Sequence, residues 1–110
     1  MMETVMQDLV LDPIRMRRSA EAAAGLLRAL ANEDRLMLLC ELSQGERCVG
    51  ELEQRLDIRQ PTLSQQLAVL RAQQLVATRR EGKHIYYRVA DRKALALLQA
   101  LYGLYCGRKG

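Results

Sequence analysis

Between residues 60 and 90 the chain changes its hydrophobic period once, and that change limits the folds open to it. In QPTLSQQLAVLRAQQL, Leu63, Leu67 and Leu70 recur at i, i+4 and i+7, the spacing of one buried helical face. From Val76 the text VATRREGKHIYYRVA predicts two short strands around a Glu-Gly-Lys turn, polar at the tip and apolar at Val76, Ile85, Tyr87 and Val89. A leucine-striped helix followed at once by a polar-tipped hairpin implies a helical layer carrying one small antiparallel ribbon.

The flanking segments are helical. Arg15 to Ala31 is rich in alanine and leucine. Asn32 is placed to cap a second helix, with Glu33 and Asp34 in its favourable first turn and a stop near Gly45. Leu36, Leu39 and Cys40 share a face of it. Cys48 and Glu51 have the spacing of a capping box, with cysteine where Ser or Thr is usual, opening a helix striped by Leu52 and Leu56. Pro61 suits the first position of the next helix. Asp91 is placed to cap a final helix, with Leu95, Leu98, Tyr102 and Tyr105 along one side and Cys106 at its end.

The expected fold is therefore mainly α with a small β-hairpin wing, in the order α-α-α-α-β-β-α. Its 110 residues suffice for one domain over 1–110, with residues 1–14 frayed or weakly helical. Apolar faces on the first and last helices exceed what so small a core can cover, which predicts a homodimer joined through them.

Two short helices, a tight turn and a second helix exposing amides and hydroxyls meet the needs of a helix-turn-helix. Thr62, Gln65 and Val69 turn away from the leucine stripe, flanked by Ser64 and Gln66 and preceded by Gln60. A glutamine amide pairs with adenine through two hydrogen bonds, and hydroxyls meet bases or phosphates. Arg79, Arg80, Lys83 and His84 on the hairpin would bind the DNA backbone. The net charge of +4, from 17 basic and 13 acidic residues, is compatible with nucleic acid without requiring it. A solvated polar helix beside a charged hairpin is the bland alternative, weakened by the two elements occurring together in this order.

No stretch of the chain is apolar enough to span a membrane, and its acidic start MMETVMQDLVLD does not resemble a signal peptide, so a cytoplasmic protein is expected. There thiols stay reduced. Three cysteines without a CxxC pair do not make a disulfide scaffold; redox, metal-binding and merely buried thiols remain open. His84 is the only histidine and has no second one to join it on a metal.

The run LLRALANEDRLMLLCEL, CVGELEQRL, QPTLSQQLAVLRAQQLV and TRREGKHIYYRV, in that order from about Leu26 to Cys106, resembles the ArsR family of small dimeric winged-helix repressors. The resemblance implies operator DNA as partner, an inducer that releases it, and no enzymatic activity. Departures from the family pattern bear on the inducer. Arsenic- and cadmium-type members carry a thiol pair in a segment similar to CVCDL; here it reads CVGEL, with Gly50 in place of the second thiol. Zinc- and nickel-type members carry histidines on the last helix, and DRKALALLQALYGLYC has none.

The placement of Cys40 and Cys106 instead resembles the reactive-sulfur-sensing subgroup of the BigR and SqrR kind. That resemblance implies Cys40 and Cys106 as the redox-sensing pair, joined by a di- or polysulfide, with no metal or other cofactor. Cys48, at a helix N-terminus that favours an anion, is a minor redox candidate. Alternatives are a soft-metal or As(III) repressor using all three cysteines, a thiol oxidoreductase, and a winged-helix module that binds protein rather than DNA.

Overall fold

The computed structural model describes residues 10–107; of the expected frayed segment 1–14, residues 1–9 lie outside that range. Helix α1 runs Pro13–Leu30, starting two residues before the expected Arg15. Asp12 causes the earlier start: its side chain accepts the N–H of Ile14 at 3.0 Å, and Pro13 follows in the first turn, where its missing N–H costs nothing. Helix α2 spans Glu33–Leu42 and is capped by Asn32, whose Oδ1 accepts the N–H of Arg35 at 3.0 Å.

A two-residue strand β1, Arg47–Cys48, leads into α3, Val49–Leu56. The Glu51 carboxylate accepts the Cys48 N–H at 2.9 Å, so the capping box expected there forms. That hydrogen bond is the main reason Glu51 ionises below the usual carboxylate range.

Helix α4 spans Thr62–Ala72, with Pro61 as the residue just outside it rather than the first one inside. Proline has no side-chain acceptor, and the amide oxygen of Gln60 takes over, accepting the Ser64 N–H at 3.1 Å. Strands β2, Val76–Glu81, and β3, His84–Val89, form the hairpin, in a register running from Val76 opposite Val89 to Glu81 opposite His84. Its loop is Gly82–Lys83, one residue shorter than the expected Glu-Gly-Lys turn, and Gly82 sits at φ +63°, where a Cβ would add strain. Strand β1 pairs with β3, Arg47 opposite Tyr87 and Cys48 opposite Tyr86, giving a sheet ordered β1-β3-β2. Strand β1 has no counterpart among the expected elements, because two residues are too short to show a period. Helix α5, Arg92–Tyr105, is capped by Asp91, which accepts the N–H groups of Lys93 and Ala94 at 2.7 and 3.0 Å.

The core is a leucine cluster. Leu38, Leu39, Leu52, Leu63, Leu67 and Leu70 are fully buried, each worth about 1.5–3 kcal/mol of transfer free energy. Helix α2 is its hub, packing on α1, α3, α4 and α5 and reaching β3. The two ends behave differently. Ala29 and Leu30 are the buried residues of α1, and Ala94 and Leu98 those of α5. Val10, Ile14, Leu104 and Tyr105 stand 87%, 68%, 72% and 84% exposed. The radius of gyration is 16.3 Å, against about 13 Å for a compact domain of this size. No helix among the described residues is long and apolar enough to cross a membrane.

Candidate nucleic-acid interface and thiol site

Helices α3 and α4 form the two arms of a helix-turn-helix. Asp57, at φ +57°, closes α3 in the left-handed conformation that aspartate tolerates. The leucine stripe of α4 faces α2, so Ser64, Gln65, Ala68 and Val69 face solvent. Thr62 is half-buried at the start of α4, and Gln60 is exposed in the turn with its carbonyl engaged on Ser64.

Gln66 departs from the expectation of a base-facing side chain. It is half-buried, and its Oε1 accepts a hydrogen bond from Arg35 Nη1 at 2.8 Å. Sequence spacing put Gln66 beside the exposed face, but its partner lies 31 residues away and leaves no local signal.

The wing divides in the same manner. Arg80, Lys83 and His84 are exposed near its tip, and Arg80 and Lys83 have no carboxylate partner among the described residues. Arg79 instead is engaged within the protein. Its Nε donates to both oxygens of Glu46 at 2.8 and 3.0 Å, and its Nη1 donates to Glu81 at 2.7 Å. Its guanidinium carbon lies 4.8 Å from the centre of the Tyr86 ring, a cation–π contact that follows from the register placing Arg79 opposite Tyr86. The side chain expected to hold phosphate therefore holds the wing to the segment before β1. The same pairing pulls Glu81 below its usual range and raises Arg79.

The three cysteines are free thiols in two places. Cys48 is half-buried where β1 meets α3, beside the wing. Cys40 is half-buried on α2, in the wall of a cleft of about 610 Å³ between α2 and α5, with Met37, Leu56, Leu98, Gln99 and Tyr102. Cys106 is the exposed C-terminal cap of α5, its N–H donating to the Tyr102 carbonyl at 2.8 Å. Burial pushes the Cys40 thiol up, and the nearby charge of Cys106 adds to the push. Cys40 lies in the cleft that α5 walls, and Cys106 caps the end of that same helix. Among the described residues of one chain, no three Cys, His, Asp or Glu side chains come together as a metal site.

Residues 32–78 match the family described as bacterial regulatory protein, arsR family. The biofilm growth-associated repressor of Agrobacterium fabrum is 58% identical over 91 residues, spanning 83% of this chain and 78% of that protein. The chain belongs to the ArsR family. Its fold superposes on the crystal structure of the ArsR-type repressor BigR from Xylella fastidiosa with a TM-score of 0.84 and 48% identity, covering 89% of this chain and 100% of that one. HlyU from Vibrio cholerae matches with a TM-score of 0.79 and 43% identity, over 83% and 99% of the two chains. Within the ArsR family this protein is a DNA-binding transcriptional repressor, and its wing and helix-turn-helix are those of the winged-helix members. ArsR repressors bind operator DNA and typically act as dimers.

Proposed function

We propose that the protein is a dimeric repressor that leaves its operator when reactive sulfur joins Cys40 to Cys106. What supports this reading is the placement of Cys40 in the wall of the cleft between α2 and α5, with Cys106 exposed at the C-terminal cap of α5. The bare apolar residues of α1 and α5 supply a dimer surface, and two copies of α4 would enter successive major grooves about one DNA turn apart. Gln65 and Ser64 read base edges there, while Arg80, Lys83 and His84 neutralise phosphates.

The chemistry balances without a metal or cofactor. One thiolate of the pair takes the terminal sulfur of a persulfide, R–S–SH, and R–SH leaves. The second thiolate attacks the cysteine sulfur of the new persulfide, expels hydrosulfide, and leaves a disulfide. A second sulfur transfer before closure leaves a trisulfide. A plain disulfide needs Cα atoms within about 7 Å, and each inserted sulfur adds about 2 Å of reach. Either link ties α2, the hub of the head, to α5, which builds the dimer face. Such a tie shifts the two recognition helices relative to each other, and a coupling of about 1–3 kcal/mol suffices for release.

Intact mass spectrometry of the reduced dimer before and after treatment with an organic persulfide tests this reading. The expected product has Cys40 and Cys106 in one crosslinked peptide pair, with mass for zero or more added sulfurs. A crosslink that includes Cys48 instead, or one between the two protomers, contradicts it.

A further inference from the structure

Arg35, near the start of α2, grips two other helices at once. Its Nε donates to the Ala29 carbonyl at 2.7 Å and its Nη2 to the Arg28 carbonyl at 3.3 Å, both in the last turn of α1. Its Nη1 donates to Gln66 Oε1 on α4 at 2.8 Å. The arginine is itself held in place, because its own N–H is the one that Asn32 caps. Carbonyls in the last turn of a helix have no partner in that helix, and a planar guanidinium satisfies several acceptors in fixed relative directions. Among the described residues this is the only side-chain hydrogen bond that α4 receives from another helix.

The rest of the hold on α4 is apolar. Leu63, Leu67 and Leu70 fix its depth against the core, but burial of apolar surface is non-directional and sets rotation and slide only through packing. The Arg35–Gln66 bond adds a directional constraint next to Gln65, the exposed amide of the same helix. It connects that point to α1, whose far half carries the bare apolar residues Ile14 and Met16.

We infer that Arg35 is a positioning residue for operator recognition: by clamping the last turn of α1 to Gln66, it sets the angle of the recognition helix to the dimer axis. It thereby sets the half-site spacing that the protein accepts. This rests on the dimeric, operator-binding reading above. It assigns Gln66 to geometry, whereas its neighbours Gln65 and Ser64 are assigned to base contact.

The test compares the full-length wild-type protein with Gln66→Met, Gln66→Glu and Arg35→Lys. Each is titrated against three duplexes: an operator selected from a randomised library, the same operator with one base pair inserted between its half-sites, and an isolated half-site. Wild type prefers the selected spacing. Gln66→Met keeps nearly the same length and removes the acceptor; it should reduce that preference about tenfold, the scale of one hydrogen bond to a charged group, and leave half-site affinity within about twofold. Gln66→Glu restores an acceptor for Arg35 and should retain the preference, even if its charge weakens all three duplexes together. Arg35→Lys keeps the charge but loses the fork and should behave like Gln66→Met. If Gln66→Met keeps the wild-type preference, or weakens all three duplexes in equal proportion, the inference is overturned and Gln66 is a plain packing or contact residue. If wild type itself shows no spacing preference, the dimeric reading falls first and this inference falls with it.

Discussion

The winged head and the two outer helical arms of this small chain are built to different standards. In the head, from α2 to β3, six leucines are fully buried and no buried polar side-chain atom lacks a partner among the described residues. In the arms, the first half of α1 and the last turns of α5 leave Ile14, Leu104 and Tyr105 more than half exposed. The head closes its own core, whereas the arms leave apolar surface for another surface to cover. The thiol pair straddles the boundary, with Cys40 in the head and Cys106 at the tip of an arm. A link between them would therefore report on the relation between the two regions rather than on either alone.

The largest effects should separate head from arm. Leu63→Ala opens a cavity in the closed core and should destabilise the protein by about 2–5 kcal/mol in denaturant unfolding, with operator binding lost in step. Leu104→Asp or Ile14→Asp should leave the helical circular dichroism almost unchanged, yet give a monomer by light scattering. Without a linked second head, operator affinity should fall about 100-fold or more. An unfolded arm variant or a still-dimeric one would erase the contrast.

A smaller effect separates the two wing arginines. Arg80→Ala should flatten the dependence of log affinity on log salt by about one and weaken all sequences alike. Arg79→Ala should leave the slope near that of wild type and instead speed amide exchange in the hairpin, because Arg79 is tied to Glu46, Glu81 and Tyr86. Equal slopes in the two variants would mean that Arg79 leaves its carboxylates to meet phosphate.

The smallest effect is one of pH. Burial and Cys106 both favour the neutral Cys40 thiol, so its alkylation should rise with pH later than that of a free thiol. Cys106→Ser removes one of the two causes and should move the profile part of the way back down. No movement would place the thiols out of electrostatic reach.

A different division, between local and distant pairings, governs what could be read from sequence. Local signals were legible: the stripe at Leu63, Leu67 and Leu70, the caps at Asn32 and Asp91, the box formed by Cys48 and Glu51, and the glycine at the wing tip all act within a few residues. Pairings between distant residues were not legible. Arg35 with Gln66 and Arg79 with Glu46 join side chains 31 and 33 residues apart, and each took a residue expected on DNA into the protein's own framework. Strand β1 was missed for a related reason, since two residues become a strand only when Tyr86 and Tyr87 arrive beside them. Tyr102 and Tyr105 do share a side of α5, as their spacing required, but among the described residues they stay 62% and 84% exposed.

The central claim is that the Cys40–Cys106 pair, spanning head and arm, is the switch. It is tested most directly by operator release under an organic persulfide, measured by fluorescence anisotropy for wild type and the three single Cys→Ser variants. Cys40→Ser and Cys106→Ser should each bind the operator as wild type does when reduced and fail to release it, while Cys48→Ser releases it normally. Release by either Cys40→Ser or Cys106→Ser, or a Cys48→Ser protein that no longer responds, would contradict the claim.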